Sequence, residues 1–346
     1  MARIGVMTFL HNDNFGSSLQ AYALQRVLRE MGHECEHIDY LPDNREKLRN
    51  LIKSGNSIRL VLEGMRKKRV KAGQAGARQK SSAIPEFYKR RMKMSPRCRN
   101  GKELKKISGR YDILLCGSDQ IWNPVWMNPA YFLNFSGNQQ RIAYAASLGV
   151  SCLDSGKKAG MIRRLLHGFD AVSVREEEGA DLLENITGTR PEVMPDPVCL
   201  LRKEDWEEIA GEKPSEDPYL VCYFIGENPE YWEKARRISR EKNLRMLTIP
   251  VTEESYQNGG ELLDGIGPEA FLGAIRGADT VLTDSFHALA FSAILEKKCE
   301  LCRRYRDDDP ESKNSRIDHF RREIGRNGPE QMREKGLCWL KQQIRA

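Results

Sequence analysis

The chain has 346 residues and a mass of 39.6 kDa, more than one hydrophobic core usually organises, so two domains are expected. With 40% hydrophobic residues, 28 Gly and 15 Pro, the composition excludes collagen-like and wholly disordered chains. The net charge of +7 is regional: residues 66–110 hold 17 Lys or Arg against Glu86 and Glu103, a local +15.

Ile4 to Phe9 is a short apolar run, and the helical spacing of Leu19, Ala23, Leu24, Val27, Leu28 and Met31 follows, with Ser17 or Ser18 as expected N-cap and Gly32 as terminator. A strand over Cys35 to Tyr40 completes a β-α-β unit, the opening of a doubly wound domain. Residues 44–110 read as a charged helical insertion before the strand pattern resumes at Tyr111 to Cys116. Further strands are expected at Arg141 to Ala145, Ala171 to Val174 and Glu192 to Met194. After the charged, Pro-closed stretch 202–217, a second alternating set begins, with strands at Tyr219 to Phe224, Leu244 to Ile249, Thr280 to Leu282 and Cys299 to Cys302. Helices are expected near 230–241, 268–276 and 285–296, and a final helix from Pro329 to the end. The expected division is an N-terminal α/β domain, 1–204, and a C-terminal α/β domain, 205–346.

No run offers the roughly 18 apolar residues of a membrane span; the stretch from Val281 to Leu295 is interrupted by Asp284, Ser285 and His287. The start of the chain lacks the apolar length and small-residue cleavage site of a signal peptide, so a cytoplasmic location is expected. An odd number of cysteines, nine, with Cys116, Cys199 and Cys222 in apolar runs, fits a reducing compartment. The Cys299 and Cys302 pair has no second pair, and its strand puts the two sulfurs on opposite faces, so no metal is expected. The basic block 66–110 suits peripheral contact with an anionic membrane face or an anionic acceptor; an ordinary solvated face is the alternative. Nucleic acid is not expected, because Phe87 and Tyr88 are the block's only aromatics and no binding module is recognisable.

Four segments carry candidate chemistry, each where a strand gives way to a helix or loop. Asn14 and Gly16 lie in the first such turn, with Gln20 in the helix behind it, a position suited to polar recognition. Ser118, Asp119, Gln120, Trp122 and Asn123 follow the strand ending at Cys116; Trp122 is expected to stack on a sugar ring while its neighbours take the hydroxyls. Arg175 stands at a helix start, where carboxylate or phosphate is the natural guest, although Glu176 to Glu178 also offer it structural partners. Ser285 and His287 open the helix after Thr283, and His287 becomes a usable acid or base beside an anionic neighbour. His33, His37 and His319 read as structural.

Taken together, Phe9-Leu-His-Asn-Asp-Asn-Phe-Gly16, Cys116-Gly-Ser-Asp-Gln-Ile-Trp-Asn-Pro124, Tyr144-Ala-Ala-Ser-Leu-Gly149, Ser173-Val-Arg-Glu176, Asp196-Pro197 and Thr283-Asp-Ser-Phe-His287 resemble the polysaccharide pyruvyl transferase family, in the family's order. The resemblance implies two Rossmann-like domains facing a cleft, as in GT-B glycosyltransferases. It also implies transfer of a pyruvyl group from phosphoenolpyruvate to a glycan as a ketal, without cofactor or metal. Carried over by motif, Arg175, Ser285 and His287 belong to the donor site, with Lys313 or Arg316 as a further cation; Asn14, Gly16, Gln20 and residues 118–123 fall to the acceptor, a glycan or a lipid- or nucleotide-linked sugar. Ala288 departs from the Gly that many members carry after the histidine. Two rival readings stand beside this one: a nucleotide-sugar glycosyltransferase on the same fold, and a non-catalytic glycan- or membrane-binding protein.

Overall fold

A computed structural model of the chain describes residues 1–53, 83–150, 152–153, 156–304 and 314–344, of which residues 51–53 and 314–316 are described by their helical backbone alone. Two parallel sheets organise it. The first has six strands, β1 (Arg3–Met7), β2 (Glu34–His37), β3 (Ile113–Cys116), β4 (Gln140–Ala146), β5 (Ala171–Val174) and β6 (Glu192–Val193), in the order β2-β1-β3-β4-β5-β6. The second has five, β7 (Tyr219–Tyr223), β8 (Arg245–Thr248), β9 (Glu261–Leu262), β10 (Thr280–Thr283) and β11 (Lys298–Leu301), in the order β11-β10-β7-β8-β9. Helices cover both faces, which is why a strand such as Ile113-Leu-Leu-Cys116 is buried at every position rather than alternating.

In the first sheet the strand order reverses between β1 and β3, and in the second between β7 and β10. Such switch points leave a crevice beyond the carboxyl ends of the strands, where ligands bind in open α/β sheets. The loops after β1, β3 and β10 therefore open onto it.

Helix α1 (Phe15–Glu30) begins earlier than its apolar spacing suggests. Asn14, not Ser17 or Ser18, is the N-cap: it has extended backbone and its side chain accepts a hydrogen bond from the Ser17 amide at 3.3 Å. Gly32, at φ 87°, ends the turn as expected.

The described part of the basic region holds α2 (Asn44–Lys53), α3 (Ala83–Arg91) and α4 (Gly101–Ser108). It is built into the body of the protein: Phe87 and Tyr88 are buried, and the Tyr88 hydroxyl meets that of Ser18 at 2.8 Å. Several of its cations are committed within the chain, Arg91 to Glu269 at 2.9 Å, Arg97 to Asp39 at 3.1 Å and Arg110 to Glu36 at 3.1 Å. The remaining basic residues of 66–82 lie outside the described residues. No helix among the described residues is long and apolar enough to cross a membrane.

Between β4 and β7 run α5 (Gly156–Leu166), α6 (Glu177–Thr187) and α7 (Lys203–Ile209); around the second sheet lie α8 (Pro229–Glu241), α9 (Glu253–Asn258), α10 (Pro268–Gly277) and α11 (Phe286–Ile294). The last helix, α12 (Asn314–Gln343), starts well before the expected Pro329 and is kinked at Gly328, whose φ of 69° and ψ of 168° are not helical, immediately before Pro329. Its first arm packs Phe320 against Phe286 of the second domain at 5.3 Å between ring centroids. Its second arm returns to the first sheet, where Trp339 lies 5.8 Å from Tyr144 and donates to Glu192 at 2.7 Å. Gly336 permits this approach: a Cβ there would lie 2.4 Å from the Tyr144 hydroxyl and 2.5 Å from Leu200.

Candidate active site

Where the two crevices face one another, the N-terminal turn of α1 meets the N-terminal turn of α11. Gly16 is pressed against the His287 ring so closely that a Cβ on it would lie 2.1 Å from Nδ1. Ser285 caps α11, its side-chain oxygen accepting from the Ala288 amide at 3.5 Å, and so fixes the helix start that carries His287. His287 is mostly buried, and its Nε2 has no hydrogen-bond partner.

Opposite that nitrogen, at 3.7 Å, stands Oδ2 of Asp196, from the segment that follows β6. Asp196 is the hub of the site. The same oxygen accepts from Arg175 Nη1 at 2.5 Å and from the Ser118 hydroxyl at 3.0 Å, while Oδ1 accepts from the Val198 amide at 3.1 Å and caps a short 3-10 turn. Burial alone pushes its carboxyl up, but His287 and Arg175 outweigh that and hold it well below the usual carboxylate range. Arg175 is likewise buried against its own charge, and Asp196, Glu176 and Asp119 more than restore the protonated form. Its guanidinium lies 4.6 Å from the centre of the Phe286 ring, and its Nε and Nη2 have no hydrogen-bond partner.

Beside this cluster is a cavity of about 210 Å³. Arg175, Asp196 and Phe286 form one side; the kinked α12 forms the other, with His319, Gln331 and Lys335 among its lining.

A family model described as polysaccharide pyruvyl transferase matches residues 14–299, most of the chain. The chain belongs to this family. Among curated proteins none matches it. Among solved structures, a UDP-GlcNAc 2-epimerase from Neisseria meningitidis bound to UDP-GlcNAc is similar in fold, with a TM-score of 0.52, 9% identity and 99% of each chain covered. The epimerase from Methanocaldococcus jannaschii matches with a TM-score of 0.51 and 11% identity over 98% of each chain. A putative epimerase from Listeria monocytogenes gives 0.51 and 11%, covering 97% of this chain and 91% of its own. These likenesses show the fold, a GT-B arrangement of two parallel sheets with flanking helices.

In this member of the pyruvyl transferase family, Arg175, His287 and Ser118 come together at Asp196, with Gly16 against the His287 ring and Ser285 capping its helix. Lys313 lies outside the described residues, as does the side chain of Arg316. Trp122 does not face the crevice. Its ring is fully buried, stacked on Phe132 at 5.0 Å, with the indole nitrogen donating to the Tyr131 carbonyl at 3.0 Å, so it supports its loop from within the core. Asn123 is buried too and accepts from the Val125 amide at 2.9 Å, and Gln20 is buried with its amide donating to Thr8 and to the Ser17 carbonyl. All three are buried and make their hydrogen bonds to neighbouring loop and helix residues, with Gln20 Oε1 and Asn123 Nδ2 unpartnered.

Asp119 and Gln120 keep partial exposure. Asp119 adopts φ 75°, a left-handed conformation, and accepts from the Ser17 hydroxyl at 2.5 Å, tying the β3 loop to α1. Gln120 rests on Gly149, where a Cβ would lie 2.7 Å from its side-chain oxygen. His37 is structural as expected: it is fully buried, its Nε2 lies 2.9 Å from the Ala21 carbonyl, and burial lowers it to about 4. His319, read from the sequence as structural, lines the cavity from the first arm of α12. Asp196 carries the site although nothing in its local sequence marks it beyond the Asp-Pro pair.

Proposed function

We propose that this transferase moves the pyruvyl group of phosphoenolpyruvate onto two hydroxyls of a sugar, in a cell-surface polysaccharide or its lipid- or nucleotide-linked precursor, as a cyclic ketal. The observation that carries the reading is the junction of Arg175, Asp196 and His287 across the two domains. It joins an unpartnered imidazole nitrogen, through Asp196, to a buried guanidinium, and Arg175 and Asp196 line a cavity of about 210 Å³. A nucleotide sugar needs a base slot and a diphosphate cradle, and pockets for ligands of that size run to roughly 300–1,000 Å³.

His287 delivers a proton to C3 of the enol as a sugar hydroxyl attacks C2, the carbon–oxygen bond to phosphate then breaks, and the second hydroxyl closes the ketal at C2. Of the two hydroxyl protons, one restores His287 and the other leaves with inorganic phosphate. Asp196 supplies the counter-charge to the protonated ring and holds it in place, and Arg175 holds the donor's anionic end. Asp119 and Gln120, which keep partial exposure, line the approach of the acceptor.

The test is incubation of the protein with phosphoenolpyruvate and a panel of lipid-linked and nucleotide-linked sugars. Phosphate release together with the mass gain of a pyruvyl ketal is expected on at least one. Transfer from a nucleotide sugar, with phosphoenolpyruvate inert, would overturn the reading.

A further inference from the structure

The Arg175 guanidinium is already shared: Asp196 takes Nη1 at 2.5 Å and Glu176 stands 3.5 Å from Nε. A phosphorylated carboxylate brings up to three negative charges, so one guanidinium so engaged cannot by itself neutralise it. Further cations must converge on the same space, and the kinked C-terminal helix brings them. Among the described residues His319, Gln331 and Lys335 line the cavity, and none of the three is engaged in a hydrogen bond or ion pair.

The acids of the cavity are, by contrast, occupied. Asp196 accepts from Arg175 and Ser118, and Glu323 accepts from Asn327 at 3.1 Å. On the α12 wall His319, Gln331 and Lys335 offer unpaired polar groups beside Phe320 and Met332 of the same helix and opposite Phe286, while in formal charge Arg175 and Lys335 balance Asp196 and Glu323. The apolar side chains leave a surface for an unsaturated carbon beside the polar groups. His287 does not itself line the cavity; it adjoins it through Phe286, with the two rings 5.2 Å apart, and through Asp196, whose Oδ2 lies 3.7 Å from its Nε2.

We propose that this cavity seats the small phosphorylated carboxylic acid that serves as donor, with His319 and Lys335 of α12 as donor-binding residues. The inference rests on the pyruvyl-transfer reading for the identity of the donor. The C-terminal helix is then part of the active site, and the kink at Gly328 and Pro329 sets the distance between His319 on one arm and Lys335 on the other.

The experiment measures phosphoenolpyruvate affinity by calorimetry, and its KM in transfer, for the full chain and for Lys335→Glu, Lys335→Arg and His319→Asn. Lys335 is exposed on its helix, so equal unfolding midpoints are expected and are checked first. Loss of a charge-assisted contact should weaken the donor roughly 10- to 100-fold in Lys335→Glu and His319→Asn, with Lys335→Arg largely rescuing. If wild type forms the ketal while both variants keep wild-type donor affinity, the cavity assignment is wrong and pyruvyl transfer stands. Donor binding that Lys335→Glu abolishes, with no ketal on any acceptor, supports the cavity and overturns the transfer reading. A wild-type chain that does not bind phosphoenolpyruvate overturns both.

Discussion

Replacing Asp196 with Asn keeps the shape of the side chain and removes one charge from a place with no water to compensate. Oδ1 still accepts from the Val198 amide, but an amide nitrogen or a neutral oxygen now faces Arg175 and His287, and the buried guanidinium keeps only Glu176 and Asp119 as counter-charges. Breaking one partner of a buried pair costs about 3–5 kcal/mol, and the complete burial of Asp196 puts this site at that end of the scale. Urea unfolding at neutral pH measures it. The double variant Asp196→Asn/Arg175→Gln should recover part of the loss, because the stranded guanidinium is gone although buried Glu176 then loses its cation, yet stay inactive. The dependence on pH follows from the depressed carboxyl. Its stabilisation is present above the ordinary carboxylate value of about 3.9 and is lost as pH falls below it towards the folded-state value. The gap between wild type and Asp196→Asn should therefore be full at pH 7 and narrow as the solution is made acidic below about pH 4. A destabilisation under about 1 kcal/mol at neutral pH, or a gap independent of pH, would refute the claim that this carboxylate holds the cluster together.

His287→Gln should lower turnover by about 10² to 10⁴ with the unfolding midpoint unchanged, read by phosphate release against urea denaturation. Arg175→Lys keeps charge but loses the planar fork; calorimetry should show weaker phosphoenolpyruvate binding, and unchanged affinity would leave Arg175 as a structural ion pair. Gly16→Ala forces a methyl group to 2.1 Å from His287 Nδ1, so turnover should collapse in a chain that remains folded by circular dichroism. Trp122→Ala empties a core site and should cost about 3–5 kcal/mol of stability, where a sugar platform would instead show a raised acceptor KM at full stability.

The doubly wound architecture was legible because its strands are short apolar runs set between helices of clear period. Strand β9 escaped notice, since two residues, Glu261 and Leu262, carry no pattern. The beginning of α1 was misplaced because two serines sit inside the first turn and compete with Asn14 as caps on sequence grounds alone. Arg175 and His287 stood out as charged or titratable residues at helix starts. Asp196 did not, because its role depends on Arg175 and His287, 21 and 91 positions away. Trp122 misled for a related reason: a polar loop with an aromatic residue looks like a sugar platform until Phe132, buried in the next turn, is seen to take the ring. His319 lines the cavity through the packing of the first arm of α12 on Phe286, a contact the sequence does not supply.

The second arm of α12 also bears on how the chain is made. The Tyr144 side of the first sheet is covered by Gly336 and Trp339, and Gln140 bonds the carbonyl of Gln343, 203 positions later. During synthesis the first six strands emerge long before the segment that completes their packing. Domains generally fold as units, N-terminal first, and exposed apolar surface invites aggregation while they wait. This N-terminal half must hold an unfinished face in contact with solvent or a chaperone until the second arm of α12 has been made and can pack, so the emergence of that arm is also the step that closes its first core.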